Sequence, residues 1–137
     1  MTEIRPATLD DINEINQVIT SAVMTWNLPD RVKRLSLSSY HYSELDFRHI
    51  DCYVAIDNNK IVGVAALETD VVTVNNFEGI LLHGLYVVEE HQHKGIGSKL
   101  FDTVSEVVKS QNHDGVLVKA QSDATDFFES KGMQLLD

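Results

Sequence analysis

Apolar residues recur at helical spacing in the first part of the chain. Between residues 8 and 26 they return every three or four positions, which is typical of one face of an amphipathic helix. Thr8 with Asp11 three residues later is a capping-box pattern at the start of that helix. Pro29 ends the pattern, and residues 30–49 are less regular. We predict a second helix and a polar loop there.

Runs of β-branched and apolar residues predict the strands. They lie at 3–8, 52–56, 60–68, 79–88 and 115–121, and a last strand begins at 133. Asp57, Asn58 and Asn59 separate two of these runs and predict a hairpin turn. The 79–88 run is apolar at nearly every position, which indicates a central strand.

Helical spacing returns twice in the second half of the chain. Apolar positions from Ile96 predict a helix that ends at about Gln111, and residues 123–132 predict a short one, with Asp123 as N-cap and Gly132 as its end. The predicted order is β-α-α-β-β-β-α-β-α-β. We therefore expect a mixed α/β (α+β) fold that forms one domain over residues 1–137.

Charge and composition narrow the class of protein. Of the 137 residues, 43% are hydrophobic and 23% charged, as in ordinary globular proteins. The formal net charge of −10 disfavours nucleic acid and anionic membranes as partners and favours cationic ones, with solubility alone as the alternative reason for the acidic balance. We find no apolar run of membrane-spanning length and no leader pattern. With the single cysteine, Cys52, this predicts a cytoplasmic protein in which Cys52 is inert packing.

The stretch HQHKGIGSKLF, residues 91–101, carries the clearest chemical signal. Gly95 and Gly97 stand directly before a predicted helix, whose first N–H groups have no intrahelical partner. Glycines without side chains and a helix N-terminus together favour an anion held by main chain. The P-loop pattern is not met, and Leu100 stands where a dinucleotide fingerprint needs its third glycine.

Gln92, Gly95 and Gly97 fit the pattern Gln/Arg-x-x-Gly-x-Gly/Ala, and here the sequence resembles the GNAT superfamily of acyl-CoA-dependent N-acyltransferases. ATDFFESKGM (124–133) and KIVGVAALE (60–68) also resemble segments of that family. The resemblance extends over nearly the whole chain. It implies a central, mostly antiparallel sheet flanked by helices.

The resemblance also implies the ligand and the residues that hold it. The anion would be the pyrophosphate of acetyl-CoA, and the pantetheine arm would lie along the backbone of the strand before the loop. No metal is expected, and we do not read His83, His91 and His93 as a metal site. The implied cofactor-binding residues are Leu85, Tyr86, Val87, Gln92, His93, Lys94, Gly95, Ile96, Gly97, Ser98, Gln121 and Phe128.

A general base is useful because the attacking amine must be neutral. His83 is our candidate, since some family members have a histidine at the matching place and imidazole titrates near neutrality. Strand alternation predicts that His83 shares a face with Leu85 and that Tyr86 faces the other side. The alternatives are a hydrogen-bonded core histidine, or Glu68 or Glu78 as the base.

Two departures from the family leave alternatives open. Phe128 stands where the family has a tyrosine that protonates the leaving thiolate, which leaves Tyr86, water or another hydroxyl as donor. The family also continues with a further strand, so we expect an open sheet edge or a homodimer. A non-catalytic acyl-CoA-binding module is the alternative to an enzyme, and a structural partner protein is a more distant one.

The acceptor is the least determined part of the prediction. We expect direct transfer to a primary amine of a small molecule or peptide, without an acyl-enzyme. In the family the acceptor is recognised by variable segments, here at about 25–50 and 69–78. RVKR (31–34) predicts a solvated helix face, with a part in acceptor recognition as the alternative.

Overall fold

The computed structural model describes residues 2–118, in which five strands and three α-helices alternate with short 3-10 turns. The elements are β1 (Glu3–Pro6), a 3-10 turn (Leu9–Asp11), α1 (Ile12–Val23), α2 (Asp30–Tyr40), a 3-10 turn (Asp46–Arg48), β2 (Ile50–Asp57), β3 (Lys60–Val74), β4 (Phe77–Val87), a 3-10 turn (Glu89–His91), α3 (Ile96–Ser110) and β5 (Gly115–Val118). The predictions for residues 119–137, including the helix at 123–132 and the last strand, lie outside the described residues.

The strands form one sheet in the order β1-β2-β3-β4-β5. The first three pairings are antiparallel, and β4 pairs with β5 in parallel. The predicted mixed, mostly antiparallel α/β fold is thereby confirmed. None of the helices in residues 2–118 is long and apolar enough to cross a membrane.

A helix layer covers each face of the sheet. The apolar stripe of α1, including Ile15, Ile19 and Val23, packs with Val54 and Val64 on one face. The stripe of α3 packs on the other face through Leu100, Val104 and Val108. Both stripes follow the helical spacing seen in the sequence, so burial of these faces drives the two helices onto the sheet.

Two asparagine pairs form the tight hairpin turns. Asn58 and Asn59 have φ values of 52° and 64°, as expected for a two-residue turn between β2 and β3. Asn75 and Asn76, with φ values of 51° and 67°, make a second such turn between β3 and β4. Strand β3 therefore continues past its predicted end at 68. Most of the 69–78 segment is a β-hairpin and not an irregular loop.

The prediction of a solvated face for RVKR was wrong at one residue. Lys33 is buried, while Arg31 and Arg34 are exposed. The Lys33 ammonium donates hydrogen bonds to the carbonyl oxygens of Met24 at 2.8 Å and Trp26 at 3.2 Å. These carbonyls lie just past the end of α1, where a cation also interacts favourably with the helix dipole. Lys33 thus ties α2 to α1.

Candidate active site

The segment Gln92–Ser98, which we call the glycine loop, leads from the end of β4 into α3. His93 and Gly95 have positive φ values of 65° and 82°, and Gly95 is the N-cap of α3. The first helical bond of α3 runs from the Lys99 N–H to the Gly95 oxygen at 3.0 Å. Because a glycine has no side-chain oxygen, Gly95 itself caps none of the N–H groups in the first turn of α3.

Both glycines leave space where a ligand can approach. A Cβ added at Gly95 would meet no atom of the described residues within 4 Å, and one at Gly97 would meet only Val87 Cγ2 at 3.7 Å. Packing therefore does not demand a glycine at 97, although the positive φ favours one at 95. The side chains of His93 and Lys94 are exposed beside this space, whereas the Ile96 side chain is buried in the core.

Three contacts hold the entry to the glycine loop. The Gln92 amide donates to the Val87 carbonyl at 3.0 Å, so this side chain is used to fasten the loop to β4. The Glu89 N–H donates to Ser21 Oγ on α1 at 3.1 Å. His91 Nε2 lies 3.3 Å from an oxygen of Asp57 at the β2–β3 turn.

Beside this loop, the end of β4 pairs on one side only within the part of the chain that the structure describes. Leu85–Val87 pair with β3, but within residues 2–118 β5 reaches only as far as Leu82. Leu85 and Val87 pack towards α3, and Tyr86 packs into the core on the α1 side. Among residues 2–118, the backbone of Leu85–Val87 therefore presents an edge beside the glycine loop.

A β-bulge at His83 overturns the predicted alternation of side chains. Ala66 pairs with Gly84 and Leu67 pairs with Leu82, so His83 is an extra residue on β4. The bulge shifts the phase of the strand. His83 is exposed and lies on the face of Tyr86, opposite to Leu85, because its ring meets the α1-side core.

The His83 ring is held by a tyrosine that the sequence reading missed. His83 Nδ1 lies 2.9 Å from the hydroxyl oxygen of Tyr42, and the two ring centroids are 5.5 Å apart. Tyr42 follows α2 in a segment without periodicity or motif, so no sequence signal pointed to it. It is 5% exposed, and burial raises the pKa of its phenol.

A cavity of about 280 Å³ opens at His83 and Glu68, two of the predicted candidate bases. It is lined by Ser39, His41, Tyr42, Asp46, His49, Ile50, Glu68 and His83. Glu68 pairs with Ile50, the first residue of β2, and its carboxylate makes no ion pair or hydrogen bond within residues 2–118. The sheet thus brings His83 and Glu68 together at one opening.

Other predicted residues lie elsewhere. Tyr86 is buried, which raises the pKa of its phenol to about 12, and it does not line the cavity. Glu78 Oε1 lies 3.5 Å from His113 Nδ1, and Glu78 does not line the cavity either. Gln121 and Phe128 are outside the described residues. Within residues 2–118, no group of three or more histidine, cysteine or acidic side chains is placed to hold a metal ion.

Comparison with solved structures shows the same fold in several acetyltransferases. PaiA N-acetyltransferase of Thermoplasma acidophilum, solved in complex with coenzyme A, aligns with a TM-score of 0.79 and 16% identity over 100% of this chain and 92% of that one. The aminoglycoside antibiotic 6'-N-acetyltransferase of Acinetobacter haemolyticus aligns with a TM-score of 0.70 and 15% identity over 98% of this chain and 92% of its own. A putative acetyl transferase of Pyrococcus furiosus gives a TM-score of 0.78 and 16% identity over 100% and 95%.

Comparison at the level of sequence gives the family. No curated protein sequence matched this chain. A family model described as "Acetyltransferase (GNAT) domain" matches residues 48–134, which is more than half of the chain and includes β2 to β5 and the glycine loop. The chain therefore belongs to the GNAT acetyltransferase family.

Proposed function

We propose that the protein transfers an acetyl group from acetyl-CoA to a primary amine of a small molecule or peptide, directly within a ternary complex. The observation that carries this proposal is the glycine loop. Gly95 and Gly97 leave open space at the N-terminus of α3, and the fold also occurs in a coenzyme A complex. A helix N-terminus with unhindered N–H groups suits a diphosphate without any buried cation.

The placement of acetyl-CoA follows from two backbone features. Its diphosphate would bind the N–H groups of the glycine loop, with Lys94 exposed beside it. Its pantetheine arm would run along Leu85–Val87, whose edge faces away from β3. An N–H near Leu85 or Tyr86 would then hold the thioester oxygen and stabilise its developing negative charge.

His83 is the proposed base. Its ring is exposed at the cavity, and with Nδ1 held by Tyr42 its Nε2 is the nitrogen left for the acceptor. The amine nitrogen bonds to the acetyl carbon, the carbon–sulfur bond breaks, and one amine proton leaves through Nε2. Glu68, which lines the same cavity, is the alternative base; Glu78 is less favoured because it lies outside that lining.

The leaving thiolate needs a proton that Phe128 cannot supply. His83 has just accepted one at Nε2 and can return it to the sulfur, so a single imidazole would complete the transfer. We do not assign this role to Tyr86, because its phenol is buried and outside the cavity lining.

The cavity favours a small, positively charged acceptor. Asp46 and Glu68 are on its wall, and no lysine or arginine of the described residues is among the lining side chains. A second ammonium group on the acceptor would meet one of these carboxylates. One protein with this fold is named an aminoglycoside antibiotic 6'-N-acetyltransferase. We expect the activity in the cytoplasm, and a homodimer stays a prediction.

Release of free coenzyme A tests the proposal. Purified protein should release it from acetyl-CoA in the presence of diamines, polyamines, aminoglycosides, amino acids or peptide N-termini. His83→Gln should lower turnover by about 100-fold, the lower end for loss of a general base, and leave the affinity for acetyl-CoA unchanged by calorimetry. Binding of acetyl-CoA without any turnover would instead favour the acyl-CoA-binding module, which Phe128 also favours. Turnover unchanged in His83→Gln and lost in Glu68→Gln would transfer the role of base to Glu68.

A further inference from the structure

We propose that Tyr42 is a positioning residue that holds His83 in the tautomer with a free Nε2. The inference rests on the proposed role of His83 as the base and adds a second residue to it. Tyr42 comes from the loop after α2, and His83 comes from the bulge in β4. The Tyr42 hydroxyl oxygen and His83 Nδ1 are 2.9 Å apart, a usual hydrogen-bond distance.

Tyr42 is the rigid member of the pair. Its backbone N–H donates to Asn16 Oδ1 at 2.8 Å, and its carbonyl oxygen accepts from Asn16 Nδ2 at 2.9 Å. Its side chain lies in the core that α1 forms with the sheet. His83, in contrast, is an exposed side chain on an extra residue of β4. The contact therefore holds the His83 ring in place, while the position of Tyr42 is set by the core and by Asn16.

A glycine makes room for the contact. A Cβ added at Gly84 would lie 2.9 Å from the Tyr42 hydroxyl oxygen and 2.5 Å from Cε2 of the Tyr86 ring. Real Cβ atoms do not approach other atoms so closely, so a side chain here would displace one ring or the other. Both residues of the pair His83-Gly84 thus contribute to the contact. His83 provides the ring, and Gly84 leaves the space that the Tyr42 hydroxyl occupies.

The proposed reaction requires that His83 Nδ1–H is the donor in this hydrogen bond. A distance of 2.9 Å fits donation either way, since a neutral phenol can donate or accept. If Nδ1–H donates to the Tyr42 oxygen, Nε2 has a free lone pair and can take the amine proton. The imidazolium that results still donates through Nδ1–H, so the same bond becomes charge-assisted and stronger.

Burial of Tyr42 suits this role. Because burial raises the pKa of the phenol, Tyr42 stays neutral throughout the working range and cannot turn into a competing anion. Other titratable groups also face His83. His41, Asp46, His49 and Glu68 line the same cavity, and Tyr86 lies on the same face of β4. These groups remain in place when only the Tyr42 hydroxyl is removed, so a change in the pH profile can be assigned to that hydroxyl.

The variant Tyr42→Phe tests the inference, with Tyr40→Phe as the matched control. Tyr40 is half-buried in α2 against the Trp26 ring and does not line the cavity. We expect Tyr42→Phe to lower kcat about tenfold and to leave KM for acetyl-CoA within twofold, because only the reacting nitrogen is misplaced. Without an acceptor for Nδ1–H the imidazolium is less stable, so the acidic limb of the kcat–pH profile should move to lower pH. Tyr40→Phe should change neither quantity. A wild-type pH profile in Tyr42→Phe would overturn the inference.

Nitrogen NMR of the histidine rings gives a readout without turnover. With the His83 signals assigned by comparison with His83→Gln, the wild-type protein above the imidazole pKa should show a protonated Nδ1 and a bare Nε2. Tyr42→Phe should show a mixture of tautomers. A protonated Nε2 in the wild-type protein would overturn the inference even if the enzyme is active. If no amine is acetylated at all, the proposed function fails, and the NMR result still decides whether Tyr42 sets the tautomer.

Discussion

Gly97 at the start of α3 faces Val87 at the end of β4, and the space between them is wide enough for a methyl group on Gly97. A methyl group added to Gly97 would touch Val87 Cγ2 at 3.7 Å, an ordinary contact distance. Gly63 on β3 is the opposite case. There a methyl group would lie 2.8 Å from Leu100 Cδ1 and 3.1 Å from Ile96 Cγ2, both in the core under α3.

The two glycines should therefore respond differently to alanine. We expect Gly97→Ala to keep or slightly raise the free energy of unfolding, since alanine is the better helix former by about 1 kcal/mol. Acetyl-CoA binding should survive this change, because the family pattern accepts alanine at this position, whereas the larger Gly97→Val should weaken binding at least tenfold by filling the space proposed for the diphosphate. Gly63→Ala should instead lower the free energy of unfolding by about 1 to 3 kcal/mol through overpacking.

Denaturant unfolding and calorimetry with acetyl-CoA measure the two effects separately. Gly63→Ala is the control for a change that acts through packing alone, and its remaining folded protein should bind acetyl-CoA normally. Normal binding by Gly97→Val would show that nothing approaches α3 at this point.

Gln92 should affect the cofactor through the shape of the loop. Its amide fastens the glycine loop to β4 by donating to the Val87 carbonyl. We expect Gln92→Ala to lower the free energy of unfolding by about 1 kcal/mol, the net value of a hydrogen bond. KM for acetyl-CoA should rise several-fold while kcat changes little.

Steady-state kinetics with acetyl-CoA as the varied substrate check this prediction. Gln17→Ala, at an exposed position on α1, provides the control for loss of a surface glutamine. An unchanged KM in Gln92→Ala would mean that the loop keeps its form without this fastening. A lower kcat at unchanged KM would also contradict the role of Gln92 in cofactor binding, and it would indicate that Gln92 acts on the transfer step.

Regular patterning made much of this fold predictable. The α1 and α3 stripes and the Asn58–Asn59 turn are local signals, and each appears in the structure where the sequence predicts it. The glycine loop was equally visible, because glycine spacing before a helix has a local physical meaning. The second asparagine pair at 75 and 76 carried the same turn signal as the first and could have been read in the same way.

The parts that escaped prediction depend on tertiary contacts. Strict alternation along β4 failed at His83 because a bulge is a property of strand pairing, and nothing in the sequence marks the extra residue. The Tyr42 hydroxyl contacts His83, which is distant in the sequence, and the Lys33 ammonium contacts the Met24 carbonyl oxygen at the end of another helix. Both roles therefore depend on tertiary packing. Sequence reasoning found the imidazole but not the partner that orients it.

Stability at acidic pH should depend on Asp11. Hydrogen bonding from Arg5, at 2.8 and 3.0 Å, lowers the pKa of Asp11 from its ordinary 3.8 to about 2. Because the folded pKa is the lower one, the ionised carboxylate stabilises the fold fully above about pH 4. That contribution is lost as the pH falls from about 4 to 2.

Urea unfolding at several pH values tests this dependence. Asp11→Asn should lower the free energy of unfolding at pH 6 by about 1 kcal/mol, and the difference from wild type should shrink towards pH 2. Asp10→Asn is the control, because Asp10 is exposed in the same turn and has no ion pair within residues 2–118. A difference for Asp11→Asn that stays constant from pH 6 to pH 2 would contradict the linkage.

Cys52 should be almost unreactive in the folded protein, which matters for measuring coenzyme A release with thiol reagents. Its side chain is 5% exposed in the core, and burial raises the pKa of its thiol to about 12. Since the thiolate is the reactive form, a disulfide reagent at pH 8 should modify the folded protein only as fast as the protein unfolds around Cys52. In denatured protein the reagent should modify one thiol per chain at once.

The variant Cys52→Ala is the control for the activity assay. With acetyl-CoA and an amine, it should release thiol at the same rate as wild type. Rapid labelling of the folded protein would contradict the burial of Cys52. If the release signal disappears in Cys52→Ala while the variant still folds, the measured thiol was that of the protein and not that of coenzyme A.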